Sequence, residues 1–250
     1  MDTLNQQLDV YGEKGYLVVP DALSTGEVDA INDAIDSDRA EDGPFWMKRE
    51  DGHVELSVHM LLASPAMDVT MRPTPLLPIL EAILGPDLCA EEHSVRLRHA
   101  FDGEPYCNWH RDGNGWPQLG ADPAFDTHYV SVAYYLSDVD ATTHTFSVLP
   151  GSAHGNHLPP LADYDLQDAH HIEGPAGTAI MFNASMFHAG NVRQSTVERR
   201  TVHMYCGRGI APPISNFTIF PRRLTDHKDE AVRRYYGRPN PITKLLREKY

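Results

Sequence analysis

Short β-rich runs separated by Gly-, Pro- and Asp-rich turns follow one another from Cys89 onward, and this pattern restricts the fold most. The predicted strands cover residues 93–99, 128–136, 145–149, 178–182, 200–205 and 217–220. Many short strands without helices between them favour an antiparallel sandwich or barrel over a parallel α/β sheet. The sequence therefore predicts a mainly β protein.

The N-terminal part of the chain has a mainly helical sequence pattern. The first 40 residues are predicted to be helical with one short strand at 15–19, and Ser24 and Glu27 have the spacing of a capping box. A further helix is predicted over 75–84 and a short closing helix over 242–250. Residues 43–67 mix aromatic, Met and His residues with polar ones without a clean period. We predict that this segment is irregular and faces a substrate.

Length and charge restrict the domain organisation and the partners. The 250 residues suit one well-filled domain, so we predict a single domain over 1–250. The 35 acidic and 21 basic residues give a formal net charge of -14. Such a surface repels phosphate backbones and anionic lipids, which argues against nucleic acid and membrane partners. A local basic pocket for a small anion remains compatible with this charge.

The cysteines and the N-terminus indicate the compartment. Cys89, Cys107 and Cys206 are widely spaced and form no CxxC pair, so neither a disulfide framework nor a zinc knuckle is predicted. The first residues lack the basic and apolar regions of a signal peptide. No apolar run approaches the roughly 20 residues of a membrane helix. We predict a cytoplasmic monomer or homodimer.

A histidine and an aspartate two residues apart form the first chemical motif. On an extended backbone, His110 and Asp112 point to the same side and can converge on one ion. His188 lies after the predicted strand 178–182 and could supply a third ligand. Two histidines and one carboxylate on one face of a metal suit a non-haem Fe(II) oxygenase. Taken singly, each of these residues also fits an ordinary surface or core position.

An arginine downstream strengthens the metal hypothesis. Arg199 lies near the start of the predicted strand 200–205. Its guanidinium offers a planar fork for a carboxylate, such as the distal carboxylate of 2-oxoglutarate. An ordinary surface arginine is the alternative interpretation of Arg199 alone.

Together these segments resemble the phytanoyl-CoA dioxygenase family. The resemblance runs from about residue 15 to 207. It rests on the segments Gly15-Tyr16-Leu17-Val18-Val19, Trp109-His110-Arg111-Asp112, Leu149-Pro150-Gly151-Ser152, 177–188 and Arg199-Arg200-Thr201. It implies a double-stranded β-helix (jelly-roll, cupin-like) core with flanking N-terminal helices. It also implies Fe(II) held by His110, Asp112 and His188, and 2-oxoglutarate held by Arg199, with Arg200 as the alternative.

The chain departs from the family pattern near the cosubstrate. Where the family often has a serine that helps to hold 2-oxoglutarate, this chain has Ala189-Gly190. Thr201, Ser195 or Tyr134 could substitute for the missing hydroxyl. His144 replaces a common glycine and either reaches toward the substrate or lies exposed in a turn. The family commonly has a histidine directly after Pro-Gly-Ser. In this chain Ala153 lies between Ser152 and His154.

These features predict an Fe(II)- and 2-oxoglutarate-dependent dioxygenase that uses O2. Related halogenases lack the carboxylate ligand, so the presence of Asp112 favours hydroxylation or another oxidation. A small specialised metabolite is the preferred substrate, with residues 45–67 and Trp116 as candidate pocket residues. An acyl-CoA substrate, for which Arg208, Arg222 and Arg223 could bind phosphate, is the second choice. A metal-dependent jelly-roll isomerase or hydrolase and a non-catalytic metal-binding sensor are the rivals from other classes.

Overall fold

Two antiparallel sheets make up the β structure of this protein. The structure, a computed structural model, describes residues 3–41, 45–48, 52–112, 125–153, 159–211, 213–215, 218–237 and 241–247. Its strands are β1 (Tyr16–Val19), β2 (Trp46–Lys48), β3 (Val54–Ser57), β4 (Leu88–Arg98), β5 (Tyr106–Cys107), β6 (Tyr129–Tyr135), β7 (Thr145–Val148), β8 (His170–Ile172), β9 (Ala179–Asn183), β10 (His188–Val192) and β11 (Arg199–Arg208). The large sheet has the order β1-β9-β6-β11-β4-β3-β2, and the small sheet has the order β5-β10-β7-β8.

The large sheet separates two apolar cores because alternate side chains of a strand point to opposite faces. On β9, Ala179 and Met181 belong to the core that covers the helical side, whereas Ile180 and Phe182 belong to the other core. This second core also contains Phe146 of β7, which places it between the two sheets. The predicted double-stranded β-helix is confirmed.

The helices are α1 (Leu4–Lys14), α2 (Thr25–Ala40), α3 (Met60–Ala63), α4 (Asp68–Met71), α5 (Leu77–Leu84), α6 (Arg222–Thr225), α7 (Glu230–Tyr235) and α8 (Pro241–Arg247), with short 3-10 turns at Pro65–Met67, Leu161–Asp163 and Leu166–Asp168. Residues of the first seven pack against the outer face of the large sheet. The predicted capping box begins α2, where Ser24 accepts from the backbone of Glu27 and Glu27 accepts from the backbone of Ser24. None of the helices within the described ranges is long and apolar enough to cross a membrane.

The prediction of an irregular segment at 43–67 was wrong. Its described residues contain β2, β3 and α3. Strand β3 pairs antiparallel with the last residues of β4, from Val54↔Arg98 to Ser57↔Val95. This long-range pairing supplies the backbone partners that hold β3 extended, and the apolar–polar alternation of Val54-Glu55-Leu56-Ser57 was a local signal of it.

Two further differences concern the predicted strands. The predicted strand at 217–220 is absent over its described residues 218–220, because Thr218 bonds locally to Ser215 and its hydroxyl accepts from the backbone of His93. The unpredicted β10 contains Ala, Gly and Asn but forms through its antiparallel pairing with β7. Trp116 and His154 lie outside the described residues.

Candidate metal centre

Backbone pairing brings the three predicted metal ligands together. The amide of each of His110 and His188 donates to the carbonyl of the other, both at 3.0 Å, and the amide of Asp112 donates to Ala184 at 3.1 Å. One possible ligand atom from each of His110, Asp112 and His188 lies within 4.8 Å of the others. A segment after β5 and the first residue of β10 therefore present three candidate ligand side chains at one point.

Hydrogen bonds orient both imidazole rings. Nδ1 of His110 lies 2.8 Å from the carbonyl oxygen of Asn108, and Nδ1 of His188 lies 3.1 Å from that of Met186. A carbonyl oxygen only accepts, so each Nδ1 carries the proton. In the neutral rings, each Nε2 then presents a lone pair.

The converging atoms need a cation between them. Nε2 of His188 lies 3.2 Å from Oδ2 of Asp112, and Nε2 of His110 lies 3.7 Å from its Oδ1. While both rings are neutral, their Nε2 lone pairs face the carboxylate with no proton between them, and a proton on His188 or a metal cation would remove that repulsion. Two imidazoles and one carboxylate match the donor set of a non-haem iron site.

Asp112 is held in its ionised form. Burial alone would raise the pKa of its carboxyl, but the hydrogen bond and charge of a protonated His188, together with the hydrogen bond from Tyr205, outweigh burial and lower the pKa to about 2. The pKa of Tyr205 is raised by burial and by the adjacent Asp112 charge, so its phenol stays protonated and donates. Tyr205 therefore orients the carboxylate of Asp112 and keeps its own proton.

Strand β11 lines the site with every second residue. Val202, Met204 and Cys206 belong to the core on the helical side. Their neighbours point the other way, toward the small sheet, and these are Arg199, Thr201, His203 and Tyr205. One strand face thus carries a candidate cosubstrate residue at its start and the partner of Asp112 six residues later.

Arg199 is a buried cation. Its side chain is 3 % exposed, and its Nε and Nη1 have no hydrogen-bond partner among the described residues. Burial, followed by the positive charge of Arg98, lowers its pKa to about 9. A buried guanidinium with unsatisfied donors is costly unless it meets an anion.

A pocket of about 220 Å³ connects these groups. His110 and His188 border it at one side, and Val54, Leu56 and Phe146 supply apolar wall. Three arginines, Arg96, Arg98 and Arg199, border the same pocket. The pocket is therefore strongly basic although the whole chain is acidic.

Several predicted alternatives lie elsewhere. Arg200 points away from the pocket and pairs with Asp36 at 2.7 Å and Glu198 at 2.8 Å. The prediction for Tyr134 was wrong, because this side chain lies on the helical face of β6 and donates to the carbonyl of Thr70 at 2.9 Å. Thr201 is fully buried on the site face, where its hydroxyl lies 3.3 Å from the carbonyl of Arg96.

His144 and Ser195 have structural partners. His144 is 1 % exposed, so neither predicted role fits: its Nδ1 accepts from the backbone of Arg193 and its Nε2 donates to the carbonyl of His99. The hydroxyl of Ser195 donates to the carbonyl of Val197.

Sequence reasoning missed the residues that surround the predicted ones. Tyr205 and His203 follow Arg199 at even spacing on β11, so the period of a strand could have indicated their common face. Arg96 and Arg98 belong to β4, and only the pairing of β4 with β11 brings them to the pocket. No local signal marks them.

A double-stranded β-helix with a two-histidine, one-carboxylate cluster defines the class of non-haem iron oxygenases. The chain belongs to the phytanoyl-CoA dioxygenase (PhyH) family, whose pattern matches residues 11–201. It is therefore an iron- and 2-oxoglutarate-dependent oxygenase that acts on a small molecule.

Two characterised relatives support this class. An L-proline trans-4-hydroxylase from Streptomyces griseoviridis is 23% identical over 77% of this chain and 81% of its own length. An ectoine dioxygenase from Halomonas elongata is 25% identical over 90% of this chain and 77% of its own length.

Solved structures share the fold. HygX from Streptomyces hygroscopicus, with nickel and 2-oxoglutarate bound, superposes with a TM-score of 0.68 at 19% identity, covering 87% of this chain and 91% of its own. The 2-oxoglutarate-dependent epimerase SnoN from nogalamycin biosynthesis gives a TM-score of 0.65 at 16% identity, covering 82% and 83%.

Proposed function

We propose that this protein hydroxylates, or otherwise oxidises, an unactivated C–H bond of a small specialised metabolite. In this proposal His110, Asp112 and His188 bind Fe(II), and Arg199 binds the distal carboxylate of 2-oxoglutarate. O2 and 2-oxoglutarate are converted to succinate and CO2. The proposal includes one domain over 1–250 and a cytoplasmic monomer or homodimer.

The convergence of two lone-pair nitrogens on an ionised carboxylate carries the metal assignment. All three donor groups meet within 4.8 Å, and backbone carbonyls keep both Nδ1 atoms protonated. Together, bound iron and 2-oxoglutarate would supply the oxidant for the C–H bond. The protein would supply ligand orientation and a basic, partly apolar pocket.

The cosubstrate assignment rests on the burial of Arg199. A carboxylate would satisfy its Nε and Nη1, which have no partner among the described residues. Thr201 stays a predicted contributor, because it shares the strand face of Arg199.

The relatives favour a small substrate. The relatives are named for L-proline and ectoine, both small molecules. Because SnoN is an epimerase, the same fold also supports outcomes other than hydroxylation.

The arginines considered for an acyl-CoA are engaged in the fold. Arg208 donates to the carbonyls of Ile83, Leu84 and Thr127. Arg222 pairs with Asp226, and Arg223 pairs with Asp68. This observation favours the small metabolite over the acyl-CoA substrate.

A substrate screen tests the proposal. The protein is loaded anaerobically with Fe(II) and 2-oxoglutarate, air is admitted with members of a metabolite library, and succinate is quantified. We expect at least one small metabolite to accelerate succinate release, and Asp112→Ala to abolish it. Asp29→Ala, an exposed change on α2, is the matched control. Parental turnover of 2-oxoglutarate by Asp112→Ala would refute the ligand assignment.

The rivals give different results in the same assay. A Lewis-acid isomerase or hydrolase would convert its substrate without O2 and without succinate. A sensor would bind metal and ligand but release no succinate with any library member.

A further inference from the structure

Arg98 and Arg199 stand directly opposite each other on the paired strands β4 and β11. Both border the pocket of about 220 Å³ that His110 and His188 also border. Directly opposed residues of an antiparallel pair have Cβ atoms about 4.5–5.5 Å apart, and like charges there destabilise the sheet. The charge of Arg98, after burial, also lowers the pKa of Arg199. An anion between the two guanidiniums would offset this repulsion.

Gly190 provides the space for Arg98. A Cβ atom at residue 190 would lie 2.1 Å from Nη2 of Arg98 and 2.8 Å from its Cζ. The guanidinium therefore reaches across from the large sheet and covers Gly190 on β10. Gly190 lies two residues after His188, on the same side of that strand. Arg98 thus extends into the side of the small sheet that carries the metal ligand.

One carboxylate can accept from both guanidiniums. Arg199 is almost fully buried, and two of its nitrogen atoms have no acceptor in the described part of the chain. A carboxylate has two oxygens with about four acceptor sites, enough for donors from two arginines. Placed between them, it would satisfy Arg199 and separate the two positive charges.

We propose that Arg98 and Arg199 together clamp the distal carboxylate of 2-oxoglutarate, and that glycine at residue 190 is required to admit Arg98. This inference rests on the proposed function, in which Arg199 alone is assigned to that carboxylate. Arg98 is then a cosubstrate-binding residue. Arg96 borders the same pocket but stands opposite Thr201 rather than Arg199.

A binding experiment with two ligands tests the clamp. 2-Oxopentanoate has the 2-oxo acid group of 2-oxoglutarate but a methyl group in place of the distal carboxylate. Affinities of both ligands for the Ni(II)-loaded protein are measured by calorimetry, with 2-oxopentanoate measured by competition if it binds weakly. The variants are Arg98→Gln and, as a control, Arg193→Gln, whose arginine pairs with Glu173.

We expect Arg98→Gln to weaken 2-oxoglutarate binding about ten- to a hundredfold, as for the loss of a charge-assisted hydrogen bond. The affinity for 2-oxopentanoate should change less than about twofold, since it lacks the group that Arg98 contacts. Arg193→Gln should alter neither affinity. Equal losses for the two ligands would mean that Arg98 only shapes the pocket, and an unchanged 2-oxoglutarate affinity would overturn the clamp outright.

Gly190→Ala gives an independent arm. In the parent protein it should displace Arg98 and weaken 2-oxoglutarate binding selectively. In the Arg98→Gln background it should add little, because both changes remove the same contact. Additive losses would contradict the required glycine. Failure of the parent protein to bind 2-oxoglutarate at all would instead refute the proposed function.

Discussion

The phenol of Tyr205 donates a hydrogen bond to Oδ2 of Asp112, the same oxygen that lies 3.2 Å from Nε2 of His188. One carboxylate oxygen is thus oriented from β11 while it faces Nε2 of His188 on β10. The carboxylate of Asp112 cannot rotate without breaking its hydrogen bond from the phenol of Tyr205. Such outer partners of a metal ligand commonly influence metal affinity as much as 10–100-fold.

Tyr205→Phe should therefore weaken metal binding. We expect about a 10–100-fold loss of Fe(II) or Co(II) affinity, measured by anaerobic titration, with the fold retained. Tyr134→Phe is the matched control, because it removes a buried phenol hydrogen bond on the opposite face of the sheet. It should cost about 1 kcal/mol of stability and leave metal affinity unchanged. Equal metal affinities in the two variants would contradict the orienting role of Tyr205.

Arg199→Gln should raise the KM for 2-oxoglutarate. The expected increase is about ten- to a hundredfold, since a buried charge-assisted contact is lost. Arg200→Gln should change KM less than about twofold, because Arg200 pairs with Asp36 and Glu198 outside the pocket. Succinate formation against 2-oxoglutarate concentration measures both. The reverse order of effects would show that the neighbouring arginine binds the cosubstrate.

Gly177→Ala should destabilise the fold by about 2–4 kcal/mol. Gly177 has a φ of 93°, and a Cβ there would lie 2.4 Å from the carbonyl oxygen of Leu23. Gly26→Ala is the opposite case, since a Cβ on this residue of α2 meets nothing within 4 Å and should stabilise by up to about 1 kcal/mol. Urea unfolding measures both changes. A stable Gly177→Ala protein would contradict the tight contact.

Stability should fall as the pH drops below 6.5, in part through His93. Burial lowers the pKa of His93 to about 3; its Nε2 donates to Thr70, and its Nδ1 has no described partner. The unfolded chain, with an ordinary histidine pKa near 6.5, therefore binds the proton first. His93 therefore leaves the free energy of unfolding unchanged above about pH 6.5. Between about pH 6.5 and pH 3 it lowers that free energy by up to about 1.4 kcal/mol per pH unit.

The variant His93→Gln isolates this contribution. Glutamine can still donate to Thr70 but does not titrate. Between pH 7.5 and 5.5, its free energy of unfolding should fall less steeply than that of the parent. Parallel pH profiles would show that His93 does not titrate on unfolding.

Much of the metal site could be predicted from the sequence. His110 and Asp112 share a side because residues i and i+2 of an extended chain do so. The choice of Arg199 over Arg200 and the roles of Thr201 and Tyr134 could not be made this way. Strand period separates adjacent residues onto two faces but does not say which face meets the site. On β6 the site face belongs to Tyr135, and Tyr134 packs among the helices.

The sequence by itself determined the succession of short strands and the capped N-terminal helix, because these depend on local propensity. Through motif order it also singled out His110, Asp112 and His188, which the fold brings together. Only the tertiary structure decided the pairing of β3 with β4, the hydrogen bond from Tyr205 to Asp112 and the opposition of Arg98 and Arg199. Each of these joins segments far apart in the chain. Such contacts depend on sheet register and packing, which no local pattern of residues encodes.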